Sequence, residues 1–481
     1  MTNNHPIAWT TTEVLDATGG ELLADDQNHR FANVSIDSRK ISTDDLFVAV
    51  VGDVHDGHAY AADVINQGVR GLVIARHKTG QLPVAKWQAA GVACVAVDDT
   101  TRALGDLAAF NRRRAKACVV AITGSNGKTT TRQLTAAVLT RQFNTLVPVG
   151  NFNNQIGLPL TLLRLTPAHQ WAVLELGTNS PGEISRLAAI CSPDIAVITN
   201  IGPAHLQGLG SLEGVRREKG DLLKSLGHNG KAALNADDPR VMQLARETDR
   251  EVLLFGLSSR AAVRAENVTE TDHGITFALS VAGENLSVRL NSAGRFMVAN
   301  ALAAAAVGHL LGIPAPIIKA GLEDFSPVSN RMNLVCMANG ITIINDTYNA
   351  NPDSMKAALD TLKSMSAGNR ALFVAGDMLE LGDQAETLHR QIGAAAVRSG
   401  VKRLWACGKF AGAVASGART EGMPPADTIT GTRGQIIADL QRQIKPGDWV
   451  LVKGSRGMAM EKVVEGLKVW AENPKVNIQA G

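Results

Sequence analysis

Residues 118–142 read CVVAITGSNGKTTTRQLTAAVLTRQ: an apolar run, a turn punctuated by glycine, and an amphipathic stretch follow one another without a break. The aliphatic run predicts a strand buried on both faces, and the spacing of apolar positions after Thr131 predicts a helix. Between them, Gly124 and Gly127 let the backbone turn tightly enough for N–H groups to face phosphate oxygens, and the helix adds its positive N-terminal end. In that geometry Lys128 reaches the terminal phosphates and the Thr129 hydroxyl holds magnesium. The spacing GxxGKT is two residues shorter than the general GxxxxGK[ST] loop, so the reading rests on placement between strand and helix. A glycine turn with a chance Lys-Thr pair is the bland alternative, and that context counts against it. Neither a DxxG nor an NKxD follows Thr131, which sets aside a switch GTPase and favours a kinase-like or ligase-like user of ATP.

Around this stretch the chain of 481 residues divides into three blocks, as its length alone suggests. Residues 1–98 carry short apolar runs (LFVAVVG, GLVIA, VACVAV) and read as a small N-terminal α/β domain. Residues 99–328 alternate strands (CVVAIT, WAVLEL, DIAVITN, KAALN, EVLLFG) with helical segments, the rhythm of a central, mostly parallel P-loop ATPase-like sheet. An antiparallel meander (VRAENV, GITFALSV, LSVRL) is appended to it, with turns at DHG and AGEN. Residues 329–481 repeat strand and helix again and read as a Rossmann-like doubly wound domain, whose ligands sit at the carboxyl ends of the strands. The fold class is therefore α/β with three domains.

The formal charge is 48 minus 45, or +3, with no block of like charge, so neither nucleic acid nor an anionic membrane is an expected partner. Arg112 to Arg114 form the single basic cluster, expected as the solvated end of a helix. No run of about 18 apolar residues exists, and the opening MTNNHPIAWTTTE has no charged leader or apolar core. A cytoplasmic protein without membrane insertion is expected. The five cysteines are far apart and form no CxxC pair, and most read as small buried residues. His55 and His58 are only two potential ligands without a third and read as turn and substrate-loop residues.

Three residues outside the loop carry chemistry. Glu175 is the lone carboxylate at the end of the strand WAVLEL, where it needs a partner such as magnesium. His205 follows the next strand and is either structural or a ligand. Lys219 falls in the middle of an apolar stripe of Leu212, Val215, Leu222, Leu223 and Leu226, while Glu213, Arg217, Glu218, Asp221 and Lys224 fall off it. A lysine facing inward either snorkels or pairs with a carboxylate, or it loses its proton and becomes available for chemistry such as carbamylation by carbon dioxide.

Taken together these residues resemble the Mur ligases, ATP-dependent amide-bond-forming enzymes of peptidoglycan precursor synthesis. The resemblance covers essentially the whole chain. It is carried by DSRK at Asp37 to Lys40, ITGSNGKTTT, GNFNNQIGLPLTLL from Gly150, LELGTNSPGEI, NIGPAHL, EKGDLL, LNADDP, NALAAAA, INDTYNANPDSMKAAL, AGDMLELG and LVKGSRGMAMEKVV. NFNN, TYNANPDSM and GDMLELG look like the branch that adds D-alanyl-D-alanine to UDP-N-acetylmuramoyl-tripeptide. A folylpolyglutamate-synthase-like ligase shares the loop, but TYNANPDSM, DSRK and DGH fit it poorly.

The resemblance implies three domains holding, in order, the UDP-sugar, ATP and the incoming dipeptide, in a monomer. It puts the ATP loop on Gly124, Ser125, Asn126, Gly127, Lys128, Thr129 and Thr130, and two magnesium ions on Thr129, Glu175, His205 and a carbamylated Lys219. Lys128, His205 and Lys219 are the implied catalytic residues. Asn300, Arg331 and Asp346 fall where the family contacts adenine, phosphate or ribose. Ser38 and Arg39 match the UDP-sugar segment, and Asn153 and Asn154 the loop near the muramoyl group. Asn349, Asn351, Ser354, Lys453, Ser455 and Arg456 line the implied dipeptide approach. Three positions depart from the family's pattern: Phe296 and Met297 replace a usual His-Asn pair, Asn330 replaces a glycine, and Gly457 replaces a serine.

Overall fold

The computed structural model describes residues 6–23, 29–52, 54–148, 150–271 and 274–472. The first five residues of the opening segment, Asp53, Asp272 and His273 of the expected DHG turn, and residues 473–481 lie outside it. Three sheets follow in chain order. In the first, Glu21–Leu22 pairs antiparallel with Ala93–Val97, and Gly71–Ala75, Leu46–Val48 and Val34–Ser35 continue in parallel. The short strands Glu21–Leu22, Val34–Ser35 and the separate pair Trp9–Thr10 with Arg30–Phe31 are too brief for a sequence period to reveal.

The central sheet has nine strands. From one edge they run Thr145–Leu146, Trp171–Glu175, Cys118–Thr123, Ile195–Ile198, Lys231–Asn235, Glu251–Gly256, Val263–Thr271, Gly274–Val281 and Glu284–Leu290. The first seven are mutually parallel and the last two are added by successive antiparallel pairings, a meander that the alternating pattern of Val263 to Leu290 predicts. Helices Lys128–Leu139, Phe296–Leu310 and Ala315–Glu323 cover one face around an aliphatic core, and helices including Glu183–Cys191 and Leu212–Lys224 cover the other. Cys118–Thr123 comes first in sequence yet lies between Trp171–Glu175 and Ile195–Ile198. The chain leaves it toward Thr145–Leu146 at one edge and leaves its neighbour Ile195–Ile198 toward Lys231–Asn235 on the other side, and a crevice opens between their carboxyl ends, where such sheets take ligands.

The third sheet orders Asn333–Cys336, Thr342–Asp346, Trp449–Lys453, Ala371–Ala375, Arg403–Ala406 and Thr428–Thr430, all parallel except the first. Asp346, Lys453 and Ala375 are in register at the carboxyl ends. Asn351 caps the helix Pro352–Ser366, with Ser354 completing a reciprocal capping box and Pro352 in the first turn. Among the described residues no helix is long and apolar enough to cross a membrane.

Two expectations are corrected. The Arg112 to Arg114 cluster ends the helix Thr100–Ala115 but is not simply solvated: Arg112 pairs with Asp194 at 2.9 Å, and Arg114 pairs with Glu13 at 3.0 Å while lying over the Trp9 ring. In the helix Leu212–Lys224, Glu218 is buried beside Lys219 rather than facing out. Its carboxylate accepts from the Gly182 and Ile184 amides, each at 2.7 Å, and from the Thr178 hydroxyl at 3.1 Å. These amides are unsatisfied donors at the start of Glu183–Cys191, and a carboxylate is the favoured group there. Helical spacing shows that Glu218 is near the stripe's margin and does not show the waiting donors. Glu218→Ala would leave the buried Ile184 amide without its acceptor and release the Gly182 amide, while the Thr178 hydroxyl keeps the Ser180 carbonyl at 3.0 Å, lowering stability by about 2 kcal/mol. Calorimetry would show an earlier first unfolding transition, and an unchanged melting profile would refute this capping role.

Candidate active site

The crevice beside Cys118–Thr123 is a cleft of about 640 Å³, walled by the central and C-terminal domains together. Ser125, Asn126 and Gly127 line its floor and Gly124, which precedes them, does not; Gly124 is at φ +154° and Gly127 at φ +81°. A Cβ on Gly124 would collide with the Thr199 hydroxyl, and one on Gly127 with the Asn300 side chain, so space as well as backbone conformation demands glycine at both. The loop is fastened from behind. Ser125 Oγ donates to the Gly202 carbonyl and accepts from the Gly202 amide, both at 2.9 Å. The Asn126 amide donates to Asn200 Oδ1 at 2.8 Å, and the Asn126 carbonyl accepts from Thr199 Oγ1 at 2.6 Å. Thr199 and Asn200 are structural partners that sequence reading missed. The sole hint was that a strand end beside the loop is rich in side-chain amides and hydroxyls.

Glu175 is 2% exposed and is the focus of the site's charge. One carboxylate oxygen accepts from Thr129 Oγ1 and the other from Asn153 Nδ2, both at 2.7 Å. Burial on its own raises its pKa. Lys128, the Thr129 hydroxyl, Arg331 and Arg132 outweigh that and hold the carboxyl below its ordinary value. Lys128 donates to the Gly124 carbonyl at 2.8 Å, and the surrounding walls strip water from it and lower its pKa. Arg331 Nη2 donates to Thr129 Oγ1 at 3.0 Å while its guanidinium lies 3.8 Å from the centre of the Tyr348 ring. Arg132, one helical turn beyond Lys128, is 1% exposed, and among the described residues its Nε and Nη1 have no hydrogen-bond partner. The cluster thus holds more cations than its one carboxylate balances, which is the electrostatics of an anion site.

The C-terminal domain closes the cleft. Lys453, 2% exposed, donates to Asp346 Oδ2 at 2.5 Å and to the Asn349 carbonyl at 2.8 Å. Ser455 Oγ accepts from the Leu379 amide at 2.9 Å and donates to the Ala350 carbonyl at 3.3 Å. Asn351 Nδ2 donates to Asn126 Oδ1 at 2.7 Å, which ties a helix cap of one domain to the phosphate loop of the other. His205, at φ +55°, places Nδ1 2.5 Å from Glu380 Oε2, and His205 is the first cause of the lowered pKa of Glu380. Glu380 lies in the quoted GDMLELG, yet nothing in the sequence paired it with His205.

Of the residues singled out in sequence, Ser125, Asn126, Gly127, Lys128, Thr129, Thr130, Asn153, Asn154, Glu175, His205, Asn300, Arg331, Asp346, Asn349, Asn351, Ser354, Lys453, Ser455 and Arg456 all line this cleft. Asn154 Oδ1 also accepts from the Gly157 amide at 2.9 Å, at the start of the helix Gly157–Leu162. Ser38 and Arg39 are not part of the wall; Arg39, paired with Asp37, has a side chain 84% exposed on the first domain. Lys219 lies behind the wall, 1% exposed. Burial first, then the Lys128 charge, pushes its pKa well below the lysine range against the opposing influence of Glu218. It does not snorkel, and among the described residues its amine has no hydrogen bond or ion pair. His58 is buried, with Nδ1 2.6 Å from Asp56 Oδ1 and Nε2 accepting from the Ala75 amide at 2.8 Å, so both ring nitrogens are used structurally.

The donor set fits a nucleotide with a hard cation. Among the described residues no group of three His, Cys, Asp or Glu side chains could hold a metal alone. Magnesium does not need one, because it keeps several waters and shares one or two protein oxygens with phosphates. The Thr129 hydroxyl and Glu175 carboxylate, 2.7 Å apart, supply those oxygens beside Lys128. Lys128→Met should leave the fold intact and lower nucleotide-dependent turnover by about two to three orders of magnitude, the scale set by losing one charge-stabilising donor. Circular dichroism paired with a turnover assay checks both, and wild-type turnover in the variant would refute the role.

Comparison with known proteins gives the same picture. The model of the Mur ligase family catalytic domain matches residues 30–112, that of the Mur ligase middle domain 122–308, and that of the Mur ligase glutamate ligase domain 330–456. The chain is 38% identical over 464 residues to UDP-N-acetylmuramoyl-tripeptide--D-alanyl-D-alanine ligase of Escherichia coli, covering 96% of this chain and 99% of that one. A crystal structure of MurF from Acinetobacter baumannii superposes with a TM-score of 0.87 at 31% identity, covering 96% and 99% of the two chains. MurF ligase from Thermotoga maritima, solved in complex with ADP, gives 0.81 at 25% identity over 92% and 98%. With the phosphate loop, the carboxylate at its side and the three-domain order all in place, the chain belongs to the Mur ligase family.

Proposed function

We propose that this protein is an ATP-dependent ligase that joins D-alanyl-D-alanine to UDP-N-acetylmuramoyl-tripeptide, giving the UDP-pentapeptide precursor of peptidoglycan, ADP and phosphate in the cytoplasm. The observation that carries the reading is the shared cleft: a phosphate loop on one domain faces a lysine, a serine and a capped helix start on the next. That suits a reaction in which an anionic nucleotide and a second, amine-bearing substrate must meet.

A carboxylate does not condense with an amine at neutral pH, because hydroxide is a poor leaving group. Transfer of the γ-phosphoryl group to the peptide carboxylate gives an acyl phosphate; attack by the dipeptide amine then forms the amide and releases phosphate. Lys128 neutralises charge on the transferring group, and the excess of cations around Glu175 supports this. Arg331, Asp346 and Asn300 hold the nucleotide. Asn153 and Asn154 orient the muramoyl end, and exposed Ser38 and Arg39 on the domain of residues 1–98 take the UDP moiety. Asn349, Asn351, Ser354, Lys453, Ser455 and Arg456, on the domain of residues 329–481, guide the dipeptide to the ATP-binding domain of residues 99–328. Thr129, Glu175 and His205 would hold magnesium, which would supply charge neutralisation for the anionic substrates.

Lys219 completes the set as a carbamate. Burial pushes the pKa of its amine well below the lysine range, which favours the neutral form; that form adds to carbon dioxide with loss of one proton, and the resulting carbamate would be an anionic oxygen donor for a second magnesium ion.

Two experiments test the reading. Phosphate release, with each component omitted in turn, should require ATP, magnesium, the UDP-tripeptide and the dipeptide, with a UDP-pentapeptide seen by mass; release without either acceptor would overturn it. Lys219→Ala should lose most activity and regain part of it with a small added carboxylate such as formate. Wild-type rates without rescue would remove the carbamate from the mechanism.

A further inference from the structure

His205 and Glu380 face each other across the seam between the central and C-terminal domains, and both stand in the left-handed region of backbone space, at φ +55° and +63°. Neither is glycine, and a residue with a side chain keeps that conformation only where its surroundings over-determine it. On the central side, the His205 carbonyl accepts from the Gly208 amide at 3.2 Å and the Leu209 amide at 2.9 Å, which starts the short helix Leu206–Leu209. On the C-terminal side, the stretch leading to Glu380 is pinned residue after residue. The Asp377 carbonyl accepts from the Ser455 amide at 2.9 Å, the Met378 amide donates to His389 Nε2 at 2.8 Å, and the Leu379 amide donates to Ser455 Oγ at 2.9 Å. Each of the two residues is therefore held by its own domain.

Where they meet, two contacts form. The Gln207 amide donates to the Glu380 carbonyl at 3.0 Å, a bond that does not involve the side chain at 380, and His205 Nδ1 lies 2.5 Å from Glu380 Oε2. An ionised carboxylate can only accept, so Nδ1 carries the proton and, in the neutral ring, Nε2 keeps the lone pair. Among the described residues Nε2 has no hydrogen-bond partner, and the His205 side chain, 19% exposed, forms part of the cleft wall. A histidine that ligates a metal through one nitrogen needs the other one held, and a carboxylate in that place fixes the ring's direction and strengthens the ligand. Here the carboxylate belongs to the opposite domain, whereas Thr129 and Glu175 meet each other within the central one.

We propose that Glu380 is a positioning residue for His205, orienting its ring as a ligand for the divalent cation only when the C-terminal domain is seated on the central one, so that cation affinity depends on the seam. The inference rests on the ligase reading, which supplies His205 as a magnesium ligand. Glu380 acts through the imidazole ring and not on the cation itself.

Manganese binding to the full-length protein in the presence of ADP, read from the electron paramagnetic resonance of the free ion, tests the proposal without turnover. Glu380→Ala keeps the backbone bond to Gln207 and should weaken manganese binding by about ten- to a hundredfold, the range for losing the partner behind a metal ligand. Glu380→Gln, whose amide oxygen still accepts from Nδ1, should retain most of the affinity. In a His205→Ala background Glu380→Ala should cost nothing further, because its effect travels through the ring. ADP affinity with a chelator present should be the same in the wild type and in Glu380→Ala. Unchanged manganese affinity in Glu380→Ala would overturn the proposal, as would a Glu380→Gln variant as weak as Glu380→Ala, an undiminished loss in the His205→Ala background, or a parallel loss of metal-free ADP affinity. Wild-type protein that binds neither ADP nor manganese would overturn the ligase reading as well, whereas firm binding of both that ignores Glu380 removes this inference alone.

Discussion

A buried carboxylate among cations is the constraint from which the rest of this molecule is organised. Glu175 ends a central strand, yet its partners come from three separate places: Thr129 and Lys128 from the loop helix, Asn153 from the segment after Gly150, and Arg331 from the C-terminal domain by way of Thr129. An isolated carboxylate there would be intolerable in an aliphatic sheet. Surrounded as it is, it remains charged, and each partner is fixed in direction by it. The same cluster carries surplus positive charge in Lys128, Arg132 and Arg331, so its electrostatics are complete only with a polyanion present.

The seam between the central and C-terminal domains is polar at its centre. Asn126 meets Asn351, His205 meets Glu380, and Arg331 meets Thr129. These contacts differ from the aliphatic cores within each domain, and they are individually modest in free energy. A polar seam can open and reclose around ligands without exposing large apolar area, which suits a cleft that must admit three substrates. Glu218 shows the opposite design, a carboxylate locked within one domain by two amides and a hydroxyl.

The strands that sequence revealed are those with long aliphatic runs, because burial on both faces of a parallel sheet writes itself into consecutive residues. Asn333–Cys336 and Thr428–Thr430 are short edge strands, and composition carries little trace of their pairing. The phosphate loop was legible because its geometry needs glycine at fixed positions and a helix behind them. Lys219 was legible as an oddity, a lysine in an apolar stripe. Glu218, Glu380, Thr199 and Arg132 were not, since each acts on a partner brought near by tertiary folding, and helical or strand periodicity holds no information about that partner. The Arg112 to Arg114 cluster misled for the same reason: Asp194, Glu13 and Trp9 lie far away in sequence.

The seam also sets an order in time. Arg331 meets Thr129 across 202 residues of chain, and Asn351 meets Asn126 across 225. At a synthesis rate of about 5–20 residues per second, the phosphate loop leaves the ribosome roughly 10–45 s before the residues that close over it. Lys453 follows later still. During that interval the nascent central domain has its cations and its carboxylate but no opposite wall, so a nucleotide that lands there is open to solvent and has no amine-bearing substrate beside it. Placing half of the cleft at the far end of the chain makes completion of the polypeptide a condition of its chemistry.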